Sequence, residues 1–260
     1  MSKYYKSKRS RNLYDPDAEK PFRLSRSKID AFLNCPRCFY IDRRLGTGQP
    51  PGYPFNLNSA VDELLKNEFD QYRTKRVPHP LMTEHNLDAI PFEHEKMDEW
   101  RDSLRRGIQL HHERTNLLIT GGVDDVWVRP NGELIIVDYK ATSKNSEVSL
   151  DADWQIGYKR QMEIYQWLFR QNGFQVSDTG YFVYCNGDAS KPSFDGVLHF
   201  DISLLPYEGN DDWVEQAILD AHACLNQDTI PDFSEDCDFA NTHKPFWHFK
   251  RYNLLLAFLR

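Results

Sequence analysis

No stretch of the 260-residue chain approaches the roughly 20 consecutive apolar residues that a membrane-spanning helix requires. The N-terminal MSKYYKSKRSRNLY lacks the apolar core of a secretory signal. Cysteine is scarce: five residues, an odd number in a chain of this size, which excludes a disulfide scaffold. A reducing, cytoplasmic setting is therefore expected. Internal repeats and low-complexity segments are also missing. Charge of one sign does not dominate either. The 32 basic and 39 acidic residues give a formal net charge of −7.

What charge there is lies unevenly. Residues 1–28 hold nine basic and three acidic side chains, +6, which leaves −13 for the remainder. A basic arm on an acidic body is one way to approach a polyanion while metal ions neutralise the body's own carboxylates. A solubilising tail is the simpler alternative. The expected division is a basic, flexible arm over residues 1–22 and one folded domain over 23–260.

Periodicity orders the rest. Ser25 or Ser27 can cap a helix with Ile29, Phe32, Leu33, Phe39 and Tyr40 on its apolar face, kinked or restarted at Pro36. A Pro/Gly-rich loop, TGQPPGYPF, precedes a second helix, NLNSAVDELLKNEFDQYR. VPHPLMTEHNLDAIPFEH reads as irregular, and residues near 96–111 as a weaker helix. RTNLLITGG, GVDDVWVRPNG and ELIIVDYKAT then read as three strands, with Pro130-Asn131-Gly132 as the turn between the last two. A long helix over about 153–172 stops at Asn172-Gly173. Two more strands, VSDTGYFVYCN and DGVLHFDISL, a helix near 210–226 and the aromatic tail FWHFKRYNLLLAFLR complete the chain. Helices, a meander, a helix and β again predict one α/β domain with a mixed sheet.

Chemistry concentrates in GGVDDVWVRPNGELIIVDYKAT. Asp138 and Lys140 are two apart on an apolar strand, so they leave it on the same face. Pairing across the Pro130–Gly132 turn sets residues 124–128 beside 134–138 and brings Asp124 toward Asp138. Two such carboxylates repel unless a proton or a divalent cation intervenes, and an all-oxygen donor set favours Mg²⁺ or Mn²⁺. Lys140 adds positive charge where a phosphate would gain negative charge. A strand-end ion pair is the simpler reading of Asp138 and Lys140. On the following helix Gln161 and Tyr165 are four apart and share a face, either as core residues or as hydrogen-bonding groups for a nucleic-acid backbone or a water.

The ordered set Gly121-x-x-Asp124, Asp138-x-Lys140 and Gln161-x-x-x-Tyr165 resembles the PD-(D/E)xK nuclease superfamily, in particular its RecB-like and CRISPR-adaptation exonuclease branch. Ser25-x-Ser27…Phe32-x-x-Cys35-Pro36-x-x-Phe39 resembles that branch's opening helix. The resemblance implies a restriction-endonuclease-like core, a central mixed β-sheet flanked by helices. It implies metal-dependent hydrolysis of DNA, single- or double-stranded, in repair, processing or defence. Asp124 and Asp138 would then bind Mg²⁺ or Mn²⁺ with the Tyr139 backbone carbonyl, Lys140 would orient the attacking water, and Gln161 and Tyr165 would position the strand.

Two departures stand out. Where the branch often has a metal-reaching histidine, this chain reads Asn58-Ser59-Ala60-Val61-Asp62-Glu63; Asp62 takes that place, with Glu63 one residue away. Members of the branch often hold an iron–sulfur cluster, yet here only Cys237 follows in the tail. A cluster would need Cys35 or Cys38 together with Cys224 and Cys237, and His243 or His248 could complete a zinc site instead. Cys185, mid-strand, reads as a buried thiol. The remaining histidines carry no assigned role, and Phe246, Trp247 and Phe249 are expected to pack over the sheet. The rival to a nuclease is a catalytically inactive module that binds nucleic acid or protein.

Overall fold

A computed structural model describes residues 8–48 and 56–237. The start of the basic arm, most of the Pro/Gly-rich loop, and the tail with His243, Phe246, Trp247, His248 and Phe249 lie outside the described residues. The chain divides into two compact units. One holds residues 8–22, 27–48 and 216–237 of those described; the other holds 23–26 and 56–215.

The larger unit carries the sheets. Strands β2 (Ile90–Pro91), β5 (Asp125–Val128), β6 (Leu134–Thr142), β7 (Thr179–Gly187) and β8 (Phe200–Glu208) form a five-stranded sheet in the order β2-β5-β6-β7-β8. It is mixed: β6 and β7 run parallel, and the other pairs are antiparallel. Helix α6 (Ile156–Gln171) makes the crossover between the parallel strands, which a tight turn could not span. A second sheet has the order β1-β4-β3, from β1 (Phe22–Ser25), β4 (Leu117–Gly121) and β3 (Ile108–His112). The fold is the mixed α/β core expected of a restriction-endonuclease-like protein.

Strand β6 explains the apolar run Leu-Ile-Ile-Val. A strand buried on both faces has no solvent side to make polar, and Leu134 to Tyr139 are all buried. Ile135, Val137 and Tyr139 join Trp127, Val183 and Leu204 in a core that Leu65 and Phe69 of α3 (Asn56–Lys75) close. The alternate residues, Asp138 and Lys140, contact α6 instead. The turn works as the sequence suggests: Gly132 takes φ +87°, and Arg129 N–H donates to Glu133 O at 2.9 Å. Gly173, just past α6, also has φ +87°, a conformation that costs a side-chain-bearing residue more than glycine.

Several elements differ from expectation. The three meander strands do not share one sheet, since β4 pairs with β3 rather than β5. The helix expected near 96–111 is only α5 (Met97–Arg101), and His111 and His112 belong to β3. Gly107, at φ +75°, breaks the helical run between them. The segment read as irregular contains α4 (Pro80–Glu84), which has proline at its start and His79 accepting from Leu81 N–H at 3.1 Å, and β2.

In the smaller unit the opening helix is split at Cys35-Pro36 into α1 (Arg26–Asn34) and α2 (Pro36–Arg43), and α7 (Val214–Leu225) supplies most of its third helix. Within the stretch expected to be a flexible arm, Arg9 N–H donates to Gly46 O at 2.8 Å and its guanidinium meets Asp42. Lys28 and Arg43 meet the same carboxylate at 2.9 and 2.8 Å. No helix of the described residues is long and apolar enough to cross a membrane.

Candidate active site

The register of β5 on β6 sets Asp125 opposite Val137, so Asp124, one residue before β5, faces the level of Asp138. The backbone of Asp124 is fixed by Arg101, whose Nε donates to its carbonyl at 3.0 Å. Its Oδ2 accepts from the Tyr139 N–H at 2.9 Å, and its Oδ1 lies 3.7 Å from the Lys66 ammonium. Burial, and then the charge of Asp138, push the Asp124 carboxyl up to about 6. The two acidic groups therefore feel each other, as the hairpin geometry requires.

Asp138 is fully buried. Its Oδ1 accepts from Gln161 Nε2 at 2.6 Å. Its Oδ2 lies against the Lys140 ammonium. Burial works against the Lys140 cation, yet Asp138 and Asp124 outweigh it and hold the amine above its ordinary value. The Tyr158 ring centroid is 4.5 Å from the same ammonium, a favourable place for a cation.

Asp62 and Glu63 part company on α3: Glu63 is exposed, whereas Asp62 is half-buried. Burial and the charge of Asp124 raise the Asp62 carboxyl despite the opposing Lys66. A cavity of about 100 Å³ is lined by Asp62, Tyr139, Lys140 and Tyr158, among others. Gln161 and Tyr165, expected to position a substrate strand, are both buried. Gln161 Nε2 also donates to the Tyr165 hydroxyl at 3.2 Å. The Tyr165 ring lies against Gly121, where an added Cβ would meet Tyr165 Cε1 at 2.7 Å. The glycine of Gly121-x-x-Asp124 thus makes room for the aromatic ring.

Two features were not read from the sequence. Lys66 stands one helical turn after Asp62 and pairs with its Oδ2 at 2.7 Å; the i, i+4 spacing was there to find it. Asp125 sits beside Asp124 but plays a different part. It is fully buried and meets Arg73, Arg101 at 3.1 Å, Trp127 Nε1 at 3.1 Å and the Tyr139 hydroxyl at 2.9 Å. Arg101 and Arg73 also bind Asp70. A buried charge needs such a full set of partners, and this one braces the strand that presents Asp124.

In the smaller unit, the Sγ atoms of Cys35, Cys38 and Cys237 all lie within 4.8 Å of one another, with Cys38 and Cys237 at 3.6 Å. Burial pushes the Cys35 thiol up, but hydrogen bonds from Cys38, Ser234 and Cys237 more than reverse this. Cys224 Sγ is 3.8 Å from the Pro36 carbonyl and is outside the trio. Of the thiols that a cluster would need, Cys35, Cys38 and Cys237 are brought together and Cys224 is not.

The donor chemistry of the larger site fits a hard divalent cation. Its acidic oxygens come from three carboxylates, one of them fully buried, and two lysines offset the acidic charge. A family model described as the PD-(D/E)XK nuclease superfamily matches residues 23–239. Among solved structures, the one titled "Crystal structure of SSO0001" is similar at 15% identity and a TM-score of 0.40, over 81% of this chain and 80% of that one. No curated protein matches the chain.

Proposed function

Since the chain belongs to the PD-(D/E)XK nuclease superfamily, we propose that it hydrolyses DNA phosphodiester bonds using Mg²⁺ or Mn²⁺, as a RecB-like exonuclease of the cytoplasm. The nuclease domain in this reading spans residues 23–260, with residues 1–22 as a basic arm that approaches the polyanion. The observation that carries the reading is Asp138: a fully buried carboxylate held against Lys140, on the strand paired with the Asp124 segment.

Asp62, Asp124, Asp138 and the Tyr139 backbone carbonyl would hold the ion. When bound, the metal supplies Lewis-acid polarisation of a phosphoryl oxygen and a more acidic water. Gln161 fixes the Asp138 carboxylate through its 2.6 Å hydrogen bond to one oxygen, and Lys140 meets the other. Lys140, kept charged by its two acidic neighbours, orients the attacking water and offsets charge gained by the phosphate. Tyr165 supports Gln161 from behind and, with it, sets the position of the substrate strand. The three clustered thiols are one short of the four-thiolate set of an iron–sulfur cluster, and the reading gives them no catalytic part.

End-labelled single- and double-stranded DNA, incubated with Mg²⁺, Mn²⁺ or EDTA, tests this. Products that require metal and vanish in Asp138→Asn and Lys140→Ala are expected, with a ladder that runs inward from one end. Retention of DNA by folded protein with no products in either metal would overturn the reading in favour of an inactive binding module.

A further inference from the structure

The acidic site of the larger unit already contains a cation that its sequence motif does not name. Lys66 Nζ lies 2.7 Å from Asp62 Oδ2 and 3.7 Å from Asp124 Oδ1. It joins a helix to the segment before β5, the same two carboxylates that the metal reading assigns as ligands. Its side chain is 18% exposed, against 33% for Asp62 and 22% for Asp124, so the ammonium sits between the carboxylates rather than out in solvent. Lys140 does the corresponding service for Asp138. The three acidic groups therefore share two resident positive charges.

We propose that Lys66 is a built-in competitor of the metal: it occupies the gap between Asp62 and Asp124 and has to leave before Asp62 can act as a ligand. This inference rests on the metal reading above. An ammonium and a divalent cation cannot share one pair of carboxylates at these distances, since their mutual repulsion would act at contact range with little water between. A lysine can yield the place because its charge is carried on four flexible methylenes. Asp62 cannot escape Lys66 by a rotation of the helix, because residues four apart move together on one face. The consequence is a site whose acidic charge is partly offset without metal, and that binds metal more weakly than its three carboxylates would allow.

Calorimetric titration of Mn²⁺ into the full-length wild type, Lys66→Met and Lys66→Arg at one pH is the test. Methionine keeps most of the stem's packing and removes the charge. Lys66→Met is expected to bind Mn²⁺ about tenfold tighter than wild type, of the order that one removed neighbouring charge gives, whereas Lys66→Arg stays close to wild type. In EDTA the methionine variant melts below wild type, and saturating Mn²⁺ raises its melting temperature by more. Lys66→Gln replaces it in both measurements if circular dichroism finds the methionine variant unfolded. Mn²⁺ binding by the neutral variant equal to or weaker than wild type would overturn the proposal while leaving the metal site standing. Binding by the neutral variant alone would support it in its strongest form. No binding by any of the proteins would overturn the metal site and this inference together.

Discussion

Asp124 and Asp125 are chemically identical neighbours with opposite energetic roles. Asp125 is matched by two guanidiniums, an indole N–H and a phenol; Asp124 has a single N–H and a distant ammonium. Removing the matched carboxylate leaves two buried guanidiniums with Asp70 alone to balance them, so Asp125→Ala should cost about 3–5 kcal/mol in urea unfolding. Asp124→Asn should do the reverse in EDTA. The Asp124 carboxyl titrates higher in the folded state, at about 6, than in the unfolded chain, at about 4. Between those values the folded state binds the extra proton, so this group's contribution to stability falls as pH rises through the window and stays low above it. Relieving that at pH 7 should raise metal-free stability by about 1–2 kcal/mol, allowing for the partial exposure of the group. Denaturant melts of wild type at about pH 4.5, inside the window, and about pH 7, above it, beside the Asn variant, check both the sign and the size. Nothing in Gly-Val-Asp-Asp tells the two acids apart; only the arginines of distant elements do.

At the scale of elements, the hairpin and the crossover were legible because their signals are local. Pro130-Asn131-Gly132 and the apolar Leu134–Val137 run fix the β5–β6 register, and the register puts Asp124 level with Asp138. Asp138 and Lys140 share a face because strands alternate, and Asn172-Gly173 ends α6. The break of the meander between two sheets was not legible, since strand order depends on which edges meet, and Leu-Leu-Ile-Thr-Gly would suit either sheet. Lys66 escaped notice because charged residues on an amphipathic helix are ordinarily solvated, and its partner on the β5 side is 58 positions away. Gly121 belongs here too. Its residue type answers a contact between elements, the approach of the α6 Tyr165 ring to β4. Gly121→Ala should destabilise the protein by about 1–3 kcal/mol, the usual result of overpacking, and Gly121→Ala with Tyr165→Leu should recover part of that loss in the same thermal melt.

On the scale of the whole chain, all five cysteines are free and buried. Reaction with an Ellman-type reagent should therefore be slow in native protein and should count five thiols once denaturant is added, since only exposed thiolate reacts readily. Three of those thiols, from both ends of the sequence, lie together; the sequence could name Cys237 beside Cys35 or Cys38 only as what a cluster would need, and the fold replaces Cys224 in that set with the second thiol of the spaced pair.

The division of the chain also sets an order in time. The larger unit is continuous from residue 56 to 215 apart from four residues, whereas the smaller one is assembled from segments on either side of it. During synthesis the α1 and α2 segments leave the ribosome before residues 56–215, yet Cys38 must wait almost 200 residues for Cys237. At translation speeds of about 5–20 residues per second, that is an interval of some tens of seconds or less. Throughout it the nuclease core can complete its sheets while the apolar faces of the opening helices stand without their late partners. Nascent-chain arrest before residue 216 should thus expose the opening helices to chaperones.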